Sequence, residues 1–127
     1  MRKKNINLLE AREISKKLCK DFGIPYCEVY YVDKIKGAMG IYVWLDPAHM
    51  LIVKSYKDKI ATVLHELIHH VDAQLYSTVI LNHSTQSYKN AKKRVITWCK
   101  KNISSKADWN VGLKAQQNDA EMANFQL

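Results

Sequence analysis

Residues 6–20 place Leu8, Ala11, Ile14 and Leu18, with Leu9 and Cys19 flanking, on one stripe at helical spacing, with charged residues opposite. The spacing predicts a helix, stopped by Gly23 and Pro25. The pattern then changes. Residues 26–32, Tyr-Cys-Glu-Val-Tyr-Tyr-Val, are rich in strand formers. A turn at Lys34–Gly37 leads to a second expected strand, 38–45, closed by Asp46 and Pro47. Residues 49–53 make a third. The short connections favour an antiparallel meander.

Helical periodicity returns with Ile60, Val63, Leu64, Leu67, Ile68, Val71 and Leu75, and Ser55 or Asp58 can cap this helix. Residues 77–83 read as a connection. A last helix is expected over about 85–101, with Ala91, Val95 and Trp98 inside and lysines outside. Beyond Asn102, the residues Trp109, Val111, Leu113, Met122 and Phe125 are too apolar for a solvated tail, so 102–127 is expected to pack back on the core. The order is one helix, three strands, then helices. It predicts an α+β fold: an N-terminal helix, a three-stranded antiparallel sheet, a long helix and a following basic helix. Residues 1–127 form one expected domain, with its core at about 6–101.

Composition narrows the class. At 127 residues and 47% hydrophobic, the chain can bury a core without staples. Four glycines and two prolines exclude collagen-like and Pro-rich architectures. No apolar run approaches the roughly 18 residues that span a bilayer. The basic start Met1-Arg2-Lys3-Lys4 is followed by no apolar stretch, so no signal peptide is expected and the cytoplasm is the default setting. Cys19, Cys27 and Cys99 are scattered, with no C-x-x-C spacing, which argues against a disulfide framework or a cysteine-rich zinc ribbon.

Charge adds a second signal. Twenty basic against twelve acidic residues give a net charge of +8. Residues 1–20 hold seven basic and two acidic residues, and residues 86–106 hold seven basic and no acidic residue. Two basic segments therefore flank a mildly acidic middle. They fit either a footprint for a polyanion or two solvated helix faces.

The chemistry concentrates at residues 65–69, His-Glu-Leu-Ile-His, an H-E-x-x-H pattern on an expected helix. Residues four apart share a helix face, so His65 and His69 can converge on one metal. Glu66 can then reach a water beside that metal and take its proton as the water attacks a carbonyl. These polar groups interrupt an otherwise apolar stretch, and burying them without a role is costly.

A catalytic zinc site usually takes three protein ligands. The long pattern with a glycine three residues and a histidine six residues after the second ligand is excluded, because Asp72 and Leu75 stand there. A glutamate from the next helix is excluded too, because no Asp or Glu lies between Asp72 and Asp108. His70 points about 100° away from His69. His83, at the junction between two helices, is the preferred third ligand, with Cys99 and Asp72 as alternatives. Asp72 lies one turn along the axis, better placed to hydrogen-bond a liganding imidazole than to reach the metal.

His65-Glu66-Leu67-Ile68-His69-His70, followed by His83 at the head of a basic helix, resembles the SprT-like (Spartan-type) metalloprotease domain. The resemblance covers roughly residues 6–100. It implies an N-terminal helix, a small antiparallel sheet, one Zn²⁺ on His65, His69 and His83, and Glu66 as general base. The family's His-Gly-x-x-aromatic stretch is here His83-Ser84-Thr85-Gln86-Ser87-Tyr88, with serine for glycine and the aromatic one residue late. The zinc ribbon and the separate DNA-binding segments of many members are missing.

The first expectation is therefore a zinc metalloendopeptidase, acting as a monomer away from membranes. Its polypeptide substrate would lie extended beside the strand nearest the motif helix, 49–53. The alternative is a zinc-stabilised nucleic-acid-binding module, or a protease recruited to DNA. Its grip would come from Lys89, Lys92, Lys93, Arg94, Lys100 and Lys101, with Tyr88, Trp98 and Trp109 as candidate stacking surfaces. Retention of Glu66 favours the enzyme, since a purely structural site needs no base.

Overall fold

Asn7 starts the first helix with a reciprocal cap. Its side chain accepts a hydrogen bond from the Glu10 backbone N–H at 2.8 Å, and the Glu10 carboxylate accepts one from the Asn7 N–H at 3.1 Å. Helix α1 (Leu8–Phe22) ends at Gly23, whose φ of 67° is the left-handed conformation that glycine adopts without penalty. The computed structural model describes residues 5–44, 47–55, 59–76, 83 and 85–103. After α1 come β1 (Glu28–Val32), β2 (Gly40–Val43), β3 (His49–Val53), α2 (Lys59–Tyr76) and α3 (Gln86–Asn102). This is the expected α+β order. Of the two caps expected for α2, Asp58 lies outside the described residues, as do most of the 77–83 connection and the apolar segment from Ser104 onward, while Ser55 stands four residues ahead of the helix start.

The sheet departs from the expected antiparallel meander. Its order is β1-β3-β2, with β3 parallel to β1 and antiparallel to β2. The seven residues Asp33–Met39 are enough to step over one neighbouring strand, at roughly 4.8 Å per strand. The chain uses that length to leave the centre of the sheet for β3. The exchange suits the side chains, because Met50, Ile52 and Val53 make β3 the most buried of the three strands. The crossover is tied down where it starts and ends. Lys54 N–H donates to Val32 O, Val53 N–H donates to Met39 O, and Lys54 Nζ pairs with Asp33 at 2.6 Å.

Helix α2 is the centre of the molecule. Every residue from Ile60 to Asp72 is buried, so the helix is enclosed all round rather than on one stripe. Helix α1 packs against β1 and α2. Ser15 Oγ donates to Cys27 O at 2.7 Å, and Arg12 Nε donates to Val29 O at 3.1 Å. Helix α3, capped by Thr85, closes the remaining side with Tyr88, Ala91, Val95, Trp98 and Cys99. Trp98 Nε1 donates to Asp21 at 2.8 Å, linking α3 to α1. Leu9, expected beside the α1 stripe, is 66% exposed.

Candidate metal centre

His65 and His69 project from consecutive turns of α2, and His83 reaches them from just ahead of α3. His83 Nε2 lies 3.0 Å from His69 Nε2 and 3.2 Å from His65 Nε2. All three side chains are buried, and their candidate ligand atoms fall within 4.8 Å of one another. Three nitrogens held at 2.0–2.1 Å around a tetrahedral zinc stand about 3.3 Å apart, so the spacing fits. The donor chemistry fits as well. An N–H on His83 can point at only one of its two neighbours, which leaves imidazole lone pairs facing one another in a dry site. A cation there satisfies them together. The three histidines are thus close enough to bind a metal ion.

The electrostatics favour ligation. Burial, and then the neighbouring imidazoles, hold the His65 pKa well below the ordinary value, with a smaller push from Lys92. Burial and His83 lower the His69 pKa to about 3. Both rings are therefore neutral at physiological pH, the state that binds metals. His65 Nδ1, His69 Nδ1 and Asp72 Oδ1 are buried and meet no hydrogen-bond partner among the described residues. Asp72 thus does not hold an imidazole as expected, and it lies outside the histidine cluster. Cys99 lies outside it too. Burial raises its thiol pKa to about 12, which disfavours the thiolate a metal needs.

Glu66 follows His65 and turns toward β2. Its carboxylate Oε2 lies 3.2 Å from where a Cβ on Gly40 would sit. The missing side chain of Gly40 makes room for it. Burial pushes the Glu66 pKa up to about 8.

Sequence reasoning missed three contributors. Gly40 is one, although a glycine inside a strand is itself a sign of close approach. Tyr88 is the second. It is fully buried against the histidines, with ring centroids 4.9 Å from His83, 5.1 Å from His69 and 6.4 Å from His65. The late aromatic thus packs beneath the cluster and has no face open for a nucleobase. The third is the pair Tyr42 and His70. His70 Nε2–H donates to Pro25 O at 2.6 Å, which leaves Nδ1 to accept from the Tyr42 hydroxyl at 2.8 Å. His70 points away from the cluster, as its helical position predicts, and pins α2 to β2 and to the segment before β1.

The expected substrate strand needs correction. Strand β3 (49–53) is paired along both edges, so no further backbone can pair with it. Strand β2 lies at the border of the sheet beside Glu66, and its outer edge meets no strand among the described residues. Lys89, Lys93, Arg94, Lys100 and Lys101 are exposed on α3, whereas Lys92 is half-buried and close enough to affect His65. No described helix is long and apolar enough to cross a membrane. Among protein-family models, curated proteins and solved structures, none matches this chain.

Proposed function

We propose that the protein is a zinc-dependent metalloendopeptidase of SprT-like type, with His65, His69 and His83 as metal ligands and Glu66 as general base. The observation that carries this reading is the convergence of three buried imidazoles, with His65 and His69 held neutral by burial, and a buried carboxylate one residue along the helix from His65. Zinc, when bound, supplies Lewis acidity that acidifies water and polarises a carbonyl. The protein's own groups do the rest. Glu66 accepts a proton from the attacking water on a carboxylate oxygen and passes it to the leaving amine. Burial strengthens its hold on that proton, and the charge of a bound zinc would favour the ionised carboxylate that the base step needs. Tyr88 and the walls of α2 and α3 exclude bulk water from the histidines. The edge of β2 that no described strand covers takes an extended polypeptide by backbone pairing. A cytoplasmic setting accords with Cys19, Cys27 and Cys99 all being free thiols.

The test compares zinc-loaded wild type with Glu66→Gln on an unfolded protein substrate. The amide keeps the shape but cannot take the proton. Cleavage should fall by at least about 10²-fold with zinc content unchanged. Equal cleavage by both proteins overturns the mechanism.

One observation favours a second reading, nucleic-acid binding with or without proteolysis. The end of α1 and the outer side of α3 enclose a cleft of about 350 Å³ lined by Phe22, Lys93, Arg94, Thr97, Trp98 and Lys101. Three cations on one side of α3, with Arg94 lying over the Phe22 ring at 5.2 Å, form a surface that suits phosphates.

A further inference from the structure

The outer face of the sheet carries apolar side chains that no described helix covers. The register aligns Ile41 with Leu51 and Leu51 with Tyr30, so these three form one row across the sheet. Tyr30 is 45% exposed, and both Met39 and Ile41 are 39% exposed. Met39, just ahead of β2, and Ile41 and Val43 on it alternate on this outer face, while Gly40 and Tyr42 point inward toward α2. The border strand thus has two unlike sides. Its inward side packs at Gly40 against Thr62 and Glu66, and its outward side is a stripe of Met, Ile and Val.

A strand added to β2 inherits this alternation. Side chains at every second position fall about 5 Å from Met39, Ile41 and Val43, and the intervening ones face the side of Gly40 and Glu66. We propose that the protein selects extended polypeptide segments with apolar residues at alternate positions, read by Met39 at the start of β2 and Ile41 on it. This is the pattern of strand-forming segments exposed when a protein unfolds. The proposal rests on the peptidase reading only for the fate of the bound segment. A second copy of the chain is a poorer occupant. Gly40–Val43 is four residues long, and pairing over so short an edge falls far below the roughly 1,200 Å² of a stable interface. Such an edge suits brief capture of a flexible chain.

The experiment measures binding to zinc-loaded Glu66→Gln, which holds a peptide without turning it over. Two peptides of equal length and charge are used, one with Val or Ile at alternate positions and one with Ser there. The apolar peptide should bind about tenfold more tightly. Adding Met39→Ser and Ile41→Ser should abolish that preference with zinc content and unfolding midpoint unchanged. Equal binding of both peptides, binding of neither, or a preference that survives the double substitution overturns the proposal. So does a concentration-dependent dimer that the double substitution dissolves, since a second copy then owns the edge. Wild-type turnover separates the two readings. Preferential binding without cleavage removes the peptidase and keeps this surface, whereas cleavage of both peptides at equal rates keeps the peptidase and removes the preference.

Discussion

Gly40 decides where Glu66 can stand. A Cβ at that position would lie 2.6 Å from Thr62 Cγ2 and 3.2 Å from Glu66 Oε2. The Thr62 methyl belongs to a fully buried, β-branched side chain in the middle of α2 and has little room to yield. Gly40→Ala should therefore cost about 1–3 kcal/mol of stability, the usual range for overpacking. It should also push the Glu66 carboxylate aside and lower proteolysis strongly, while zinc content stays intact because no ligand lies on β2. Denaturant unfolding, metal analysis and a cleavage assay on the same preparation check the three parts. At the metal itself, His83→Ala should weaken zinc binding by at least about tenfold, while Cys99→Ser leaves it unchanged, as read by titration against a competing chelator. Tight stoichiometric zinc in His83→Ala would remove His83 from the ligand set.

The elements divide by how local their causes are. The stripes of α1, α2 and α3 are repeated every three or four residues, so their existence was legible in the chain, and β3 was legible to its ends. The approach of His65 to His69 was legible for the same reason, because residues four apart share a helix face. His83 followed by elimination of other ligand types. Sheet order was not legible, since alternation says which face of a strand is apolar and not which strand lies beside it. Nor were Gly40 against Glu66, Tyr88 beneath the histidines, or Tyr42 on His70, which join residues far apart in the chain. For α3, the structure separates Lys92, near the metal centre, from the exposed Lys89, Lys93, Arg94, Lys100 and Lys101. If α3 binds DNA, affinity should fall with salt at a log–log slope of roughly −0.7 per phosphate neutralised on single strands. Changing Lys93, Arg94 and Lys101 to Gln should flatten that slope by about two. Filter binding at several salt concentrations measures it, and the same slope in the variant dismisses the cleft as the contact.

The whole molecule is built around a helix whose histidines and carboxylates are buried, so its stability must follow pH. In the metal-free protein, His65, His69 and His70 have folded pKa values below the ordinary 6.5, chiefly through burial. The unfolded chain then binds the extra protons, and stability is lost as pH falls through about 6.5. Glu66 works the other way. Its folded pKa, about 8, lies above the ordinary 4.5, so the folded state keeps a proton that the unfolded chain has released. That contribution is lost as pH rises through this window toward 8. Three histidines outweigh one glutamate below 6.5, and Glu66 dominates above it. Stability of the metal-free protein should therefore peak between about pH 6.5 and 7. Glu66→Gln should flatten the alkaline limb by up to about 1.4 kcal/mol per pH unit, the value of one proton, and His70→Asn should make the acid limb shallower by up to the same amount. Zinc should raise the unfolding midpoint at every pH where the histidines are neutral, and more so as its concentration exceeds the dissociation constant. Its charge beside Glu66 favours the carboxylate, so saturating zinc should also flatten the alkaline limb of wild type. Urea unfolding from pH 5 to 8.5, with chelator and with zinc, reads all of these. An alkaline limb identical in metal-free wild type and Glu66→Gln would mean that the carboxylate is not held protonated in the fold.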